Sequence, residues 1–335
     1  MSAYIQAISY YLPDLILDNN ELNYIFPEWS SDKISNKTGI YQRRIAAKDE
    51  FTSDMAFKAT EKLFEEYDID RNQIDFVLLC TQSPDYFLPT TACILQDRLN
   101  IPTTAGALDF NLGCSGYVYG LSLAKGLIAA KIARNILLIT SETYSKYINE
   151  RDKGNRTLFG DGAAATLITS EAGLCEIGEF VLGTNGAGAQ NLIVKNGGAR
   201  NRNLTGKDIE GEEGYLRNDD HLYMNGTEIF KFTAGAVPSM IESILSKSNL
   251  NIDDIDLFVF HQANQFMLNF IRKKIGIPED KFVLFLRDCG NTVSSTIPIA
   301  LKESIVSGKI KKTNTVLLAG FGVGYSWGST IIKFT

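Results

Sequence analysis

The sequence predicts an α/β fold in which two covered sheets share central helices. Continuously apolar segments such as Phe76–Cys80 and Ile136–Thr140 alternate with helical segments such as Thr52–Tyr67. Strands that are apolar along their whole length are typical of sheets covered by helices on both faces. The segment that follows Cys114 predicts a helix with apolar side chains on nearly every side. Such a helix belongs in the middle of a core.

A long internal repeat indicates that the chain consists of two similar halves. The matching segments are 69–81 with 250–262 (IDRNQIDFVLLCT with LNIDDIDLFVFHQ) and 135–140 with 315–320 (NILLIT with TVLLAG). The two matches have offsets of 181 and 180 positions. Nearly equal offsets predict superposable halves of about 170 residues. We place the division between an N-terminal half, 1–172, and a C-terminal half, 173–335.

The composition excludes several classes of function. The 335 residues are 44% apolar and 21% charged, and the net charge is −6. The negative charge argues against nucleic acid as the main partner. No apolar run reaches the roughly 18 residues of a membrane span, and the N-terminus lacks a signal-peptide pattern. We therefore expect no membrane association and a cytoplasmic location.

The five cysteines do not form a recognisable framework. They stand at positions 80, 93, 114, 175 and 289. Their odd number, their scatter and the lack of a C-x-x-C pair support neither disulfides nor a zinc site. We therefore predict buried thiols, one reactive thiol and no metal.

Three polar side chains stand where buried strands end or apolar helices begin. Cys114 follows an apolar strand in a turn flanked by Gly113 and Gly116. His261 directly follows a buried strand, and Asn291 precedes an apolar helix. Backbone N–H dipoles concentrate at such turns, so we expect the thiol pKa of Cys114 to be lowered. Together these residues suggest thioester chemistry on a cysteine nucleophile.

Each of these residues also has a purely structural interpretation. Cys114 can be an inert buried thiol, and Asn291 can be an ordinary turn residue. A lone histidine is more often structural than catalytic, and His221, beside Asp219 and Asp220, fits that description. His261 differs because it ends an apolar strand, where a neutral imidazole can donate a hydrogen bond to a developing oxyanion.

The glycine-rich segment 320–329 (GFGVGYSWGS) does not predict a dinucleotide site. Its glycines follow G-x-G-x-G instead of G-x-G-x-x-G, and a strand follows them where a helix is required. A tight turn that presents a backbone N–H group, for example that of Val323, to an oxyanion is the better interpretation. The segment 159–162 (FGDG) is interpreted as a structural turn.

At these residues the chain resembles the β-ketoacyl-acyl carrier protein synthase III family of the thiolase superfamily. The matching segments are 37–47 (KTGIYQRRIAA), the turn at Cys114, 158–165 (LFGDGAAA), 223–232 (YMNGTEIFKF), 261–264 (HQAN), 290–298 (GNTVSSTIP) and 320–329. Their order is highly specific to that family. The resemblance implies a thiolase-like five-layered αβαβα fold built from two duplicated halves, and a homodimer.

The resemblance also implies roles for the matching residues. Cys114 matches the nucleophile that accepts an acyl group from acyl-CoA or acyl-carrier protein. The backbone N–H groups of Cys114 and Val323 would form an oxyanion hole. His261 and Asn291 match the pair that binds malonyl-carrier protein and stabilises the enolate formed when carbon dioxide leaves. The implied product is 3-oxoacyl-carrier protein, in fatty-acid or polyketide biosynthesis, and coenzyme A thioester is a substrate, with no cofactor.

Several positions depart from the family pattern. Where the family often holds the coenzyme A adenine between Trp and Arg, this chain has Lys33 and Lys153, which cannot stack in that way but can contact phosphates. The predicted substrate-binding residues are Lys33, Lys37, Lys153, Phe87, Leu88 and Asn264. Pocket size should depend on the loop 86–89 and on the polar insertion Lys195–Asp220, which we expect to be mobile.

The carrier-protein docking surface also differs. An Arg that commonly helps to dock the carrier protein in the family is replaced by Phe266. The basic residues Arg272, Lys273 and Lys274 lie further along the chain and are predicted to contact an acidic carrier helix.

Alternative functions remain open at this point. The first is an acyltransferase on the same fold that passes the acyl group to an alcohol or amine. A cysteine hydrolase is disfavoured because Leu112 stands where the G-x-C-x-G turn requires glycine. A non-catalytic partner subunit is also disfavoured, because all three reactive residues are present. Neither primer length and branching nor the choice between housekeeping and specialised pathways follows from the sequence.

Overall fold

A computed structural model describes residues 2–210 and 216–335, and for Leu216 and Arg217 it describes the backbone. The helices are α1 (Asn19–Ile25), α2 (Ser31–Thr38), α3 (Thr52–Tyr67), α4 (Thr91–Arg98), α5 (Gly116–Ala129), α6 (Lys153–Arg156), α7 (Gly226–Lys247), α8 (Gln265–Ile275) and α9 (Thr296–Val306). The strands are β1 (Tyr4–Tyr11), β2 (Leu15–Asp18), β3 (Gln42–Ile45), β4 (Phe76–Cys80), β5 (Gly106–Phe110), β6 (Asn135–Glu142), β7 (Gly162–Thr169), β8 (Cys175–Thr184), β9 (Leu192–Ile193), β10 (Ile209–Glu210), β11 (Leu216–Arg217), β12 (Tyr223–Met224), β13 (Leu257–Phe260), β14 (Thr315–Gly322) and β15 (Ser326–Phe334).

The main sheet consists of two halves that match over the four strands nearest their junction, and β5 extends the first half by one strand. Its order is β13-β14-β15-β8-β1-β7-β6-β4-β5. β1 and β8 pair only through Tyr4–Glu176 and Ile5–Cys175, so this narrow junction separates the halves. From the junction outwards, the first half runs β1-β7-β6-β4-β5 and the second runs β8-β15-β14-β13. In both halves the two pairings nearest the junction are antiparallel and the next is parallel.

The pairing register repeats as well. Phe76 pairs with Ile136 between β4 and β6, and Leu257 pairs with Val316 between β13 and β14. These two pairs are related by the offsets of 181 and 180 found in the sequence. The internal repeat therefore has a structural counterpart, while the division at residue 172 stays a prediction.

Helices and sheet halves are stacked in five layers. α3 and α4 cover the outer face of the first half, α5 and α9 lie between the halves, and α7 covers the second half with α8 packed on it. The alternation of β4 shows the arrangement: Val77 and Leu79 are in the core under α3, and Leu78 is in the central core with α5. Strands that are buried on both faces explain the continuous apolar runs.

Helix α5 is the central helix that the sequence predicted. It contacts strands of both sheet halves and is buried through Tyr117, Val118, Leu121 and Ile128. Leu123 is an exception, because 43% of it is exposed. Within the described ranges, no helix combines the length and the apolar character that crossing a bilayer requires.

The described part of the insertion Lys195–Asp220 is held by a polar network. Asp220 accepts hydrogen bonds from Asn196 and from the backbone N–H groups of Thr205 and Gly206, and these bonds lower its pKa to about 2. Residues 211–215, at the centre of the insertion, lie outside the described residues. Its mobility stays a prediction.

Candidate active site

Cys114 lies in the turn between β5 and α5, and its side chain is buried. Two glycines permit the close packing around it. A Cβ atom at Gly322 would lie 2.9 Å from Cys114 Sγ, and a Cβ atom at Gly116 would clash with Sγ of Cys80. Strand β14 therefore passes directly beside the thiol, which brings the C-terminal half of the chain to a residue of the N-terminal half.

The ionisation of Cys114 differs from the sequence-based expectation. Burial, and next the negative charge of Glu142, raise the pKa of the thiol to about 12. The backbone N–H groups of Cys114 and Val323 bond to the sulfur and act in the opposite direction. The expected lowering of the pKa is therefore wrong, because taking a thiolate out of water costs more than these dipoles return. Both predicted oxyanion donors nevertheless lie at the sulfur.

His261 directly follows β13 and is buried edge-on to the ring of Phe321. Burial lowers its pKa to about 3, so the imidazole is neutral at pH 7, as the sequence predicted. Its Nδ1 atom lies 2.8 Å from Oγ1 of Thr296, which in turn lies 3.0 Å from the carbonyl oxygen of Val293. The single hydroxyl proton of Thr296 therefore goes either to Nδ1 or to that carbonyl.

Asn291 is oriented by the turn that follows it. Its Oδ1 atom accepts the backbone N–H of Val293 at 2.9 Å, which leaves the amide NH₂ group for other partners. Its own backbone bonds to Leu158 and Gly160 of the N-terminal half. Val293 has φ of 55°, a left-handed conformation that is rare for a β-branched residue. This single residue thus contacts Asn291 through its N–H group and the Thr296–His261 pair through its carbonyl.

These three residues line one cavity of about 270 Å³. The rest of its lining is mainly apolar: Leu158, Phe159, Leu192, Met224, Gly226, Ile229, Phe230, Thr233, Ala263, Asn264, Phe266, Met267, Phe321 and Gly322. An apolar lining around a few convergent polar groups is the usual character of a small-molecule site. The structure therefore brings the three predicted reactive residues together.

A larger cavity of about 990 Å³ adjoins the first. The two cavities share Leu158, Met224, Gly226, Asn264 and Phe266. The larger cavity also reaches Trp29 and the exposed Lys37, and five asparagine side chains contribute to its wall: Asn149, Asn155, Asn218, Asn225 and Asn264. The cleft is therefore apolar near Cys114 and rich in amide groups further out.

Some of the predicted substrate-binding residues line the larger cavity and others do not. Lys37 and Asn264 line the larger cavity, and Asn264 also caps α8 through the N–H of Met267. Lys33 is exposed and lines neither cavity. Lys153 is largely buried, and its Nζ atom lies 3.1 Å from a carboxylate oxygen of Glu28.

Phe87 and Leu88 lie in an exposed loop. They are 87% and 82% exposed and line neither of the two cavities. Within one chain they therefore do not contact the cleft, and their contribution to the substrate pocket stays a prediction.

The three basic residues predicted to dock a carrier protein differ in their exposure to solvent. Lys273 and Lys274 are exposed. The side chain of Arg272 is only 11% exposed and bonds to the carbonyl of Ile277 and to Glu279. We therefore correct the prediction for Arg272: it stabilises the end of α8, and its position on the inner face of the helix keeps it from a docking surface.

Sequence reasoning missed two buried residues at the site, Thr296 and Glu142. Thr296 looked like one more residue of the turn, and only its contact with His261 marks it. Glu142 does carry a signal, since it is a charged residue at the end of β6, three positions after the apolar run 136–139. Across residues 2–210 and 216–335, no group of three or more His, Cys, Asp and Glu is arranged to hold a metal ion.

Two family models match the parts of the chain that carry the three residues. A family model described as "3-Oxoacyl-[acyl-carrier-protein (ACP)] synthase III" matches residues 108–186, which include Cys114. The corresponding C-terminal model matches residues 245–334, which include His261 and Asn291. The beta-ketoacyl-[acyl-carrier-protein] synthase III of Clostridium perfringens is 38% identical over 323 residues, 96% of each chain.

Solved structures agree with the fold. A crystal structure of a 3-oxoacyl-(acyl-carrier-protein) synthase III is 50% identical and covers 100% of both chains with a TM-score of 0.97. The synthase III of Thermus thermophilus is 33% identical, covers 99% of both chains and has a TM-score of 0.87. The thiolase-like fold that the sequence implied is confirmed. From these matches, the chain belongs to the 3-oxoacyl-[acyl-carrier-protein] synthase III family.

Proposed function

We propose that this protein is a β-ketoacyl-[acyl-carrier-protein] synthase III, an acyltransferase that performs a decarboxylative Claisen condensation in fatty-acid or related biosynthesis. The observation that carries the proposal is the convergence of Cys114, His261 and Asn291 on one mainly apolar cavity. A thiol nucleophile and two neutral hydrogen-bond donors are the groups that this chemistry needs.

In the first step Cys114 accepts the primer acyl group. Its sulfur attacks the carbonyl carbon of an acyl thioester, and the oxygen of the tetrahedral intermediate takes hydrogen bonds from the N–H groups of Cys114 and Val323. The carbon–sulfur bond of the donor then breaks. The proton of the Cys114 thiol ends on the departing thiol, so the exchange leaves no net charge. The high pKa of Cys114 makes this coupled proton transfer necessary, because the free thiolate is scarce at pH 7.

In the second step malonyl-carrier protein takes the place of the departed thiol. Loss of carbon dioxide leaves its electron pair as an enolate, whose oxygen is the thioester oxygen bound by His261 and Asn291. To donate, the neutral ring of His261 must carry its proton on Nε2, and Nδ1 then accepts a hydrogen bond from the Thr296 hydroxyl. The enolate carbon attacks the acyl-Cys114 carbonyl, the carbon–sulfur bond breaks, and the thiolate takes up one proton. The product is 3-oxoacyl-carrier protein.

The two cavities and the exposed loop support the proposed partners. The amide-rich outer cavity, which Lys37 and Asn264 line, suits the amide-containing arm of coenzyme A or of a carrier protein. Lys33 and Lys153, which line neither cavity, stay proposed contacts for its phosphates. Lys273 and Lys274 suit an acidic carrier helix. We propose a homodimer in which the exposed Phe87 and Leu88 are covered, a cytoplasmic location, and catalysis without a cofactor.

The decisive experiment is intact-protein mass spectrometry. The protein is incubated with a panel of acyl-CoAs and acyl-carrier proteins, with Cys114→Ser as the control, and malonyl-carrier protein is then added. An adduct on Cys114 that disappears as 3-oxoacyl-carrier protein forms supports the synthase. An adduct that malonyl-carrier protein leaves untouched, and that an alcohol or amine removes, would replace this proposal by acyl transfer to another acceptor. Absence of any adduct would contradict both functions.

A further inference from the structure

A buried carboxyl group lies beside the proposed active site and has no part in the mechanism above. Glu142 is the last residue of β6 and is fully buried. Its Oε2 atom accepts the backbone N–H of Gln82 at 3.0 Å and lies 3.2 Å from the hydroxyl of Ser83. Its Oε1 atom lies 2.8 Å from the hydroxyl of Ser294. Burying a carboxyl group costs free energy unless its oxygens are hydrogen-bonded, so three polar partners at this position indicate a specific role.

The contact with Ser294 joins this carboxyl group to the turn that carries Asn291. Ser294 directly follows Val293, whose N–H group holds the Asn291 side chain and whose carbonyl meets Thr296 beside His261. Glu142 belongs to the N-terminal half of the chain, as Cys114 does. The hydrogen bond therefore spans the two halves at the point where their reactive groups meet.

We propose that Glu142 is a positioning residue of the reaction: its carboxyl group holds the Asn291 turn through Ser294 and borders the Cys114 turn through Gln82, whose side chain packs against Gly113. The proposal deepens the function inferred above, and its kinetic part rests on that function. Its electrostatic part does not, because the reactivity of the Cys114 thiol is measurable without any substrate.

The geometry suits a protonated carboxyl group as well as a carboxylate. Burial raises the pKa of Glu142 to about 8, so at pH 7 the group is mainly neutral. The backbone N–H of Gln82 can only donate, so Oε2 must accept and the proton belongs on Oε1. There it donates to the hydroxyl oxygen of Ser294. Above the pKa the direction reverses, and the Ser294 hydroxyl donates to the carboxylate.

The charge on Glu142 acts on several groups around it. The titratable residues that interact electrostatically with Glu142 include Cys80, Cys114, Tyr144, Tyr147 and Asp161. For Cys114, the ionised carboxylate adds to the effect of burial and opposes thiolate formation. Neutral Glu142 thus favours a reactive thiol, and ionised Glu142 suppresses it.

The first test measures alkylation of Cys114 by iodoacetamide between pH 7 and pH 10, followed by intact mass with Cys114→Ser as the blank. Glu142→Gln mimics the neutral acid, since its Oε1 can accept from Gln82 and its Nε2 can donate to Ser294. We expect this variant to be alkylated about tenfold faster than wild type at pH 9, the effect of one pKa unit on thiolate population. Glu50→Gln, a carboxyl that binds Tyr11 and Lys58 instead, is the matched control and should follow wild type. Equal rates for Glu142→Gln and wild type would overturn the electrostatic part.

The second test separates positioning from charge. Ser294→Ala keeps the carboxyl group and removes its link to the turn, so we expect kcat for malonyl decarboxylation to fall about tenfold with KM unchanged, from the loss of one buried hydrogen bond. Glu142→Gln keeps the link to Ser294, so its kcat at pH 7 should lie closer to the wild-type value than that of Ser294→Ala. Wild-type kcat in Ser294→Ala would overturn the positioning role.

The inference can still be tested if a variant fails to fold or if the proposed function is wrong. The wild-type protein alone should show an alkylation rate that rises less than tenfold per pH unit between pH 8 and pH 10, because Glu142 ionises in that range. A full tenfold rise per unit would contradict the inference. A wild-type protein without decarboxylation would refute the proposed function, and the alkylation profiles would still decide whether Glu142 acts on Cys114.

Discussion

Replacing Thr296 by valine should change the tautomer of His261 and thereby remove one oxyanion donor. In the proposed mechanism the neutral ring donates from Nε2, so Nδ1 must accept a hydrogen bond. The Thr296 hydroxyl, 2.8 Å from Nδ1, donates that hydrogen bond. Valine has the same shape and no hydroxyl group. Nδ1 then gains most by keeping its own proton and donating it towards the carbonyl of Val293, which leaves a lone pair on Nε2.

Two magnitudes decide how large the effect is. A typical intramolecular hydrogen bond contributes about 0.5–1.5 kcal/mol to stability, so losing this one should lower the free energy of unfolding by that amount. Loss of one oxyanion donor costs about 10²–10³-fold in kcat. The substitution should therefore have a much larger effect on kcat than on the free energy of unfolding. Thr60→Val is the matched control, since the buried Thr60 hydroxyl donates to the carbonyl of Ala56 one helical turn back and contacts no imidazole.

The assay combines carbon dioxide release from malonyl-carrier protein with ¹⁵N NMR of the imidazole nitrogens. The chain has only two histidines, so His221→Gln assigns the spectrum. We expect Thr296→Val to lose about 100-fold in kcat and to move the ring proton to Nδ1, while Thr296→Ser and Thr60→Val keep both. A kcat for decarboxylation by Thr296→Val within about threefold of the wild-type value would refute this reasoning, because loss of one oxyanion donor typically lowers kcat by about 10²–10³-fold.

Three further outcomes are expected. Asn291→Ala should keep acylation of Cys114 and lose about 100-fold in decarboxylation, measured by adduct mass and carbon dioxide release; equal loss in both steps would contradict its assignment to the second. Because the pKa of His261 is lowered to about 3, decarboxylation should show no inflection from this ring between pH 5 and pH 8; a fall in rate below pH 6.5 that disappears in His261→Gln would contradict that value. Lys273→Glu with Lys274→Glu should raise KM for malonyl-carrier protein while malonyl-CoA turnover stays unchanged, and unchanged KM in low salt would exclude this surface as the docking site.

The repeated fold was predictable because its signals are local. Asp75 and Asp256 precede corresponding strands, and each accepts a hydrogen bond from the first N–H of the neighbouring strand. A residue with that local function recurs at the same place in each half, so the offset is visible in the sequence. The junction of β1 with β8 was not predictable. It depends on how two twisted half-sheets meet, and two residue pairs leave no periodic pattern in the sequence.

The sequence allowed the residues of the site to be predicted, but not their pKa values. Cys114, His261 and Asn291 stand at strand ends or helix starts that local sequence reveals. The pKa of Cys114 depends instead on how many segments from both halves cover the thiol, which is a property of packing. Arg272 was a missed signal: it follows Ile271 and lies four positions after Leu268, both buried, so the helical period of α8 turns it inwards.

Burial moves the three titratable groups of the site towards their neutral forms. The pKa of Cys114 is raised to about 12, that of Glu142 is raised to about 8, and that of His261 is lowered to about 3. At pH 7 the site therefore holds a thiol, a carboxylic acid and an uncharged imidazole. Negative charge then first appears on the thioester oxygen during reaction. Fixed neutral donors in a dry site stabilise that charge without a competing ion pair.

The same shifts predict how stability depends on pH. Unfolded His261 takes up a proton below its ordinary pKa of 6.5, and the folded ring does not until about pH 3, so its burial costs stability as the pH falls through this range. Unfolded Glu142 loses its proton above 4.5, and the folded acid keeps it until about pH 8, so its burial costs stability as the pH rises through that range. His261→Gln should therefore flatten the acid side of the stability profile, and Glu142→Gln the neutral to alkaline side, in urea unfolding at several pH values. If Glu142→Gln left the slope between pH 6 and pH 8 unchanged, Glu142 would have to be ionised in the folded protein, and the neutral site would be excluded.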